Sequence, residues 1–93
     1  DLWLSPATGR PSLAIHFTWK NEPDAVARLV PQIQAALAPF DARPHWGKCN
    51  TMTATDIEPL YPKLPEFAAL AERMDPEHRF RNAYLERVLG LAD

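Results

Sequence analysis

The residues best suited to chemistry stand in one short run, His45-Trp46-Gly47-Lys48, near the middle of a 93-residue chain. Gly47 has no side chain, so a planar molecule could approach the backbone closely there. Lys48 adds a cation beside that bare backbone, where it could stabilise negative charge or, if desolvated, accept a proton. The run therefore predicts a ligand site served by Lys48. The alternative is a surface lysine at a strand end, which is the commonest environment of this residue.

A second polar pair, His16 and Thr18, lies two residues apart in an alternating segment. Such residues project to the same side of a strand, about 6.6–7 Å apart. They could hold two separated hydroxyls of an extended polyol. The pattern alone favours the simpler alternative, a solvated sheet face on which neither residue has a ligand.

Two segments carry these candidates and are predicted to be extended. Residues 12–20 alternate between apolar and polar side chains, which predicts a β-strand with one apolar face. Residues 42–48 follow as a second strand or extended segment, which Pro44 restricts to a sheet edge or a strand start. The apolar face of the first strand consists of Leu13, Ile15, Phe17 and Trp19.

Apolar residues at three- and four-residue spacing predict a helix over residues 23–38, with Pro23 in its first turn and a kink at Pro31. Further helical segments are predicted at 56–61, from 65 to about 74, and at 83–89. The predicted fold class is therefore α+β, in which antiparallel strands carry packed helices and helix 23–38 covers one sheet face.

Composition excludes several classes of partner. The net charge is −2 and no run of like charges occurs, which argues against nucleic acid or a membrane surface as a partner. The lone cysteine, Cys49, fits a reducing compartment such as the cytoplasm. Together with His16, His45 and His78 it matches no tetrahedral zinc pattern, so no metal site is predicted.

The run His45-Trp46-Gly47-Lys48 is accompanied by further residues of the same pattern. Downstream, Tyr61-Pro62, Arg73, Asp75-Pro76, Asn82 and Arg87 fall in the order and spacing of one enzyme family, and upstream Asp1-Leu2-Trp3-Leu4 and His16-Phe17-Thr18-Trp19 extend the match. The chain resembles the C-terminal segment of the alditol oxidase and sugar-1,4-lactone oxidase family, FAD-dependent enzymes of the vanillyl-alcohol oxidase type. Gly47, which precedes the lysine, makes the chain more similar to the alditol-oxidase branch of this family.

The resemblance implies an FAD-dependent oxidoreductase that transfers a hydride from a terminal hydroxyl of a polyol, such as xylitol or sorbitol, to the flavin, with oxygen reduced to hydrogen peroxide. It implies Lys48 as the catalytic residue and His16 and Thr18 as substrate ligands. His45, Trp46 and Gly47 are expected beside the cofactor, although Trp46 could equally be core. The alternatives are an aldonolactone oxidase or dehydrogenase on the same scaffold, and a stand-alone, non-catalytic α+β interaction domain.

The resemblance also implies a division of the chain. Residues 1–55 would form the C-terminal part of a substrate (cap) domain and residues 56–93 a helical C-terminal arm, while the domain that binds most of the FAD would lie outside this chain. We therefore expect the isolated fragment to be inactive and to self-associate through exposed apolar surface. His78 stands where the family has glycine, and the turn is expected to keep its positive φ.

Overall fold

A computed structural model describes residues 2–91, so Asp1 of the upstream match lies outside the described residues. This part of the chain contains four α-helices, two of which continue into a 3-10 turn. The α-helices are α1 (Pro23–Leu37), α2 (Ala54–Ile57), α3 (Leu64–Met74) and α4 (Ala83–Leu89), and the 3-10 turns are Ala38–Phe40 and Glu58–Leu60.

The predicted helix over residues 23–38 is confirmed as α1. Pro23 opens it and Asp24 lies in its first turn, where a carboxylate interacts favourably with the helix dipole. Pro31 stays inside the helix, although it has no N–H for the carbonyl of Ala27. Of the α1 side chains only Val30 is buried, so this helix lies at the edge of the core.

The three predicted helical segments of the C-terminal half are also confirmed. Thr53 and Asp56 form a reciprocal capping box at the start of α2, and the Asn82 side chain accepts a hydrogen bond from the Leu85 N–H at the start of α4. Gly90 ends α4 in the left-handed conformation, with φ of 63°. These helices meet around one small core, formed by Ile57, Tyr61, Leu64, Val88 and Leu89.

The predicted α+β class is wrong, because residues 2–91 contain helices and no β-strand. Residues 12–20 keep a trace of their alternation, since the rings of Phe17 and Trp19 stack with centroids 5.4 Å apart. The alternation places these side chains on one side, but a strand also requires a neighbouring strand to pair its backbone groups. Nothing in the described chain provides one, and all ten residues from 11 to 20 are exposed.

The second predicted strand, residues 42–48, is absent for a different reason. The Lys48 N–H donates to the His45 carbonyl at 3.1 Å, which closes residues 45–48 into a turn. Arg43 and Trp46 extend their side chains to other loops instead of alternating across a sheet. The run His45-Trp46-Gly47-Lys48 therefore lies on a turn.

His78 confirms the expectation of a positive φ at the position where the family has glycine, with φ of 55°. The turn is held from its first residue: the His78 N–H donates to the Asp75 carbonyl at 3.0 Å, and the Asp75 carboxylate accepts from the N–H groups of Arg79 and Phe80 at 2.8 and 2.9 Å. These bonds offset the cost of a left-handed histidine.

Candidate active site around Lys48

The turn of residues 45–48, hereafter the signature turn, exposes the backbone at Gly47. The Gly47 N–H donates to Nδ1 of His45 at 3.0 Å, so that nitrogen is the unprotonated one and the ring lies beside the glycine. A Cβ placed on Gly47 would meet only ring atoms of His45, the nearest at 3.4 Å. Gly47 is also exposed, so a ligand can reach its backbone.

Lys48 follows on the same turn and is exposed. Within residues 2–91 its ammonium group has neither an ion-pair partner nor a hydrogen-bond partner. Lysine is a strongly hydrated point charge on a flexible stem, which can reach a negatively charged or polar ligand group from such a position. The fold thus leaves this cation available.

Trp46, in contrast, is held by the fold. Its indole N–H donates to the Leu4 carbonyl at 2.6 Å, and its ring lies against the buried Tyr61 with centroids 5.2 Å apart. The Tyr84 hydroxyl donates to the Trp46 carbonyl at 2.7 Å. Trp46 therefore fixes the signature turn to the core and to the N-terminal loop; whether it also contacts a cofactor stays a prediction.

Arg43 has a larger structural role than its sequence context indicated. Its guanidinium donates to the carbonyls of Leu60, Thr8 and Pro6 at 2.9, 2.6 and 3.2 Å. It also lies 4.7 Å above the centroid of the Tyr61 ring. Burial, followed by repulsion from Arg10, lowers the pKa of Arg43. The signal in the sequence was an arginine three residues before Trp46, and only the fold shows which carbonyls it binds.

Tyr61 is the buried residue against which Trp46 and Arg43 pack. Its side chain is fully buried, and within the described residues its hydroxyl has no hydrogen-bond partner. Burial raises the pKa of Tyr61, an effect that the neighbouring Arg43 partly opposes. The ring therefore serves as a packing surface for Trp46 and Arg43.

The structure brings His45, Trp46, Gly47 and Lys48 together on one turn, whereas His16 and Thr18 lie on a separate segment. Both residues are exposed on the segment 11–20, and no hydrogen bond or ion pair among the described residues links them to the signature turn. Their roles as substrate ligands stay predictions.

Among residues 2–91, no group of three or more histidine, cysteine or carboxylate side chains is arranged to hold a metal ion. None of the helices in this range combines the length and the hydropathy needed to cross a bilayer.

Comparison with known families decides the affiliation. The model of the D-arabinono-1,4-lactone oxidase family matches residues 1–88, which include the signature turn and nearly all of α4. The chain belongs to this family. The resemblance stated from the sequence is thereby confirmed.

Relatives within the D-arabinono-1,4-lactone oxidase family include enzymes with different names. An alditol oxidase of Streptomyces sp. is 44% identical over 96% of the chain. An L-gulono-1,4-lactone dehydrogenase of Mycobacterium tuberculosis is 38% identical over 97%, and an L-gulonolactone oxidase of Mus musculus is 33% identical over 95%. In each case the chain spans only 21% of the relative's length.

The alditol and lactone oxidases of this family use flavin, and the signature turn suits such a group. A flavin is planar and carries polar atoms along its edge. The open backbone of Gly47 permits close approach of a plane, and the ammonium of Lys48 has no partner within the described chain.

Proposed function

We propose that this chain is the C-terminal part of an FAD-dependent alditol oxidase, which oxidises a terminal hydroxyl of a polyol of the xylitol or sorbitol type. The observation that carries the proposal is Lys48, which has no partner within residues 2–91 and lies beside the exposed backbone of Gly47, in a chain 44% identical to an alditol oxidase. The glycine before the lysine and the pair His16 and Thr18 support the alditol branch.

Each candidate residue receives a role in this proposal. His16 and Thr18 bind hydroxyls of the extended polyol, and Lys48 acts at the hydroxyl that is oxidised. Gly47 leaves room for the cofactor, with His45 and Trp46 at its side. When bound, FAD supplies the acceptor for the hydride that leaves the substrate carbon, and oxygen finally takes the two electrons to give hydrogen peroxide.

Lys48 has two chemically distinct ways to assist this oxidation. The hydroxyl must lose its proton as its carbon loses a hydride, so negative charge develops on the substrate oxygen. A charged Lys48 stabilises that oxygen by charge-assisted hydrogen bonding. A neutral Lys48 accepts the proton itself. Both roles require an ammonium or amine that no other side chain of the protein occupies.

A second candidate function is an aldonolactone oxidase or dehydrogenase. The observation that favours it is the family model itself, which describes a lactone oxidase, together with the relatives of the gulono-1,4-lactone type. The same turn and the same lysine would serve a hydroxyl on a sugar ring. A stand-alone interaction domain has no comparable support.

We also propose how the chain is divided and which partners the site has. Residues 1–55 belong to the substrate (cap) domain and residues 56–93 to a C-terminal arm, with most FAD contacts made by the remaining part of the parent protein. The partners are a polyol or a sugar lactone and oxygen. The single, exposed Cys49 is consistent with a cytoplasmic location.

The test is hydrogen peroxide release by the full-length parent protein, with xylitol and sorbitol compared with aldonolactones at equal concentration. We expect peroxide from the polyols. Activity on lactones alone would move the protein to the second candidate, and a flavin-loaded parent that oxidises neither class would overturn both.

A further inference from the structure

One helix, α4, contacts the loop that carries Lys48 through two side chains. The Tyr84 hydroxyl donates to the Trp46 carbonyl at 2.7 Å, and the Arg87 guanidinium donates to the Met52 carbonyl at 2.7 Å. Tyr84 and Arg87 are three residues apart and therefore project from the same face of the helix. The two carbonyls enclose residues 47–51, with Lys48 between them.

Helix α4 is itself held firmly by the core, so it can fix the position of the loop. Val88 and Leu89 anchor it in the core, the Asn82 side chain caps its first turn at 2.9 Å, and Gly90 ends it. The Arg87 guanidinium lies 5.3 Å from the centroid of the Tyr84 ring, so the two side chains also support each other.

Between the two contact points, α1 also holds the loop at residue 51: the Gln34 side chain donates to Thr51 Oγ1 and accepts from the Thr51 N–H, both at 2.8 Å. The Gly47 and Lys48 N–H groups bond within the signature turn, to His45. The Asn50 side chain bonds to the Lys48 carbonyl at 3.4 Å and to the Met52 N–H at 3.2 Å. These last contacts are local, but the Arg87 guanidinium also donates to the Asn50 side-chain oxygen at 3.5 Å. The position of the Lys48 backbone relative to the core therefore depends on Tyr84 and Arg87, together with the Trp46 side chain and the bonds between Gln34 and Thr51.

We propose that Tyr84 and Arg87 are positioning residues of the site, which hold the loop of residues 46–52 so that Lys48 meets the substrate. Neither residue is expected to touch the substrate; both act through the backbone of the loop. This inference rests on the proposed function for its catalytic consequence, whereas the holding of the loop is a property of the fold alone.

A matched pair of tyrosine variants of the full-length parent tests the inference. Tyr84→Phe removes the hydroxyl that bonds to the Trp46 carbonyl and keeps the ring. Tyr61→Phe removes a hydroxyl that has no partner in the described chain, and serves as the control. We expect amide hydrogen exchange of residues 46–52 to become about 5- to 10-fold faster in Tyr84→Phe and to stay unchanged in Tyr61→Phe.

The kcat and KM of the same two variants are also measured. We expect kcat of Tyr84→Phe to fall about 5- to 10-fold at equal flavin content, with a smaller change in KM, and Tyr61→Phe to keep the activity of the wild type. Arg87→Met, which keeps an apolar stem but loses the bond to the Met52 carbonyl, should resemble Tyr84→Phe in both measurements.

A double variant distinguishes positioning from a general structural effect. If Tyr84 acts through Lys48, the kcat of Lys48→Ala should not fall further when Tyr84→Phe is added. Full additivity of the two changes would overturn the inference, and so would unchanged exchange or unchanged kcat in Tyr84→Phe. If the wild-type parent oxidises neither polyols nor lactones, the proposed function fails, and hydrogen exchange alone decides whether Tyr84 holds the loop.

Discussion

Two cations of one short segment, Arg43 and Lys48, have opposite environments. Arg43 donates to three backbone carbonyls and lies above the Tyr61 ring, whereas Lys48 is exposed with no partner within residues 2–91. A planar guanidinium can bind several carbonyls at once, while a lysine offers a mobile point charge. We infer that Arg43 stabilises the fold and that Lys48 is kept free for a ligand.

Replacing each cation by alanine should separate these roles. Arg43→Ala should lower the free energy of unfolding of the chain by about 1–3 kcal/mol, because part-buried carbonyls lose their donor. Lys48→Ala should change it by no more than about 0.5 kcal/mol, as is usual for an exposed residue without contacts. Urea denaturation of both variants measures the difference. Equal destabilisation by the two changes would show that Lys48 has a structural role.

Among the secondary-structure elements, those that depend on neighbouring residues were predicted correctly, whereas those that depend on distant residues were not. Residues 23–38 and 83–89 were predicted as helices because spacing and caps are local features. Residues 12–20 were predicted as a strand from equally clear alternation, but pairing depends on a partner that the described chain does not contain. The candidate site divides in the same way. The sequence identified Gly47 and Lys48, whereas the hydrogen bond from Tyr84 to Trp46 joins residues 38 positions apart.

Two carboxylates at helix ends make the stability of these elements depend on pH. The backbone N–H of Thr53 lowers the pKa of Asp56, and the N–H of Phe80, followed by that of Arg79, lowers the pKa of Asp75. A carboxyl group whose pKa is lower in the folded state stabilises that state above its ordinary pKa of 3.8, and the contribution disappears as the pH falls through the lowered value.

Asp56→Asn and Asp75→Asn should therefore lower the melting temperature at neutral pH. Asparagine keeps an acceptor oxygen but loses the charge, so the difference from the wild type should shrink as the pH falls below about 3.8. Thermal unfolding followed by circular dichroism between pH 7 and pH 2.5 measures this change. A difference that stays constant over the whole range would contradict the assigned role of the two carboxylates.

The whole molecule exposes more surface than its mass requires. Its accessible area is 7093 Å², whereas a compact monomer of this size has about 5,400 Å². Large apolar side chains contribute to the excess, above all Leu13 and Phe80, which are 91% and 82% exposed. Since the chain spans about a fifth of its relatives' length, we propose that the rest of the parent protein covers this surface.

The isolated chain should accordingly self-associate. Light scattering across a concentration series should show dimers or larger species, accompanied by binding of a hydrophobic dye. Leu13→Lys should reduce association, whereas Thr18→Lys, which adds the same charge at a polar position of the segment, should have a smaller effect. A wild-type chain that stays monomeric at high concentration without dye binding would contradict the proposed exposed interface.

The most direct test of the central claim is the rate of flavin reduction in the full-length parent, followed by stopped-flow absorbance without oxygen, with the substrate class that releases peroxide. Wild type and Lys48→Ala are compared at equal flavin content. We expect Lys48→Ala to retain flavin and to be reduced at least about 10²-fold more slowly, because the group that stabilises charge or accepts the proton is missing. Reduction at the wild-type rate would show that Lys48 is not the catalytic residue.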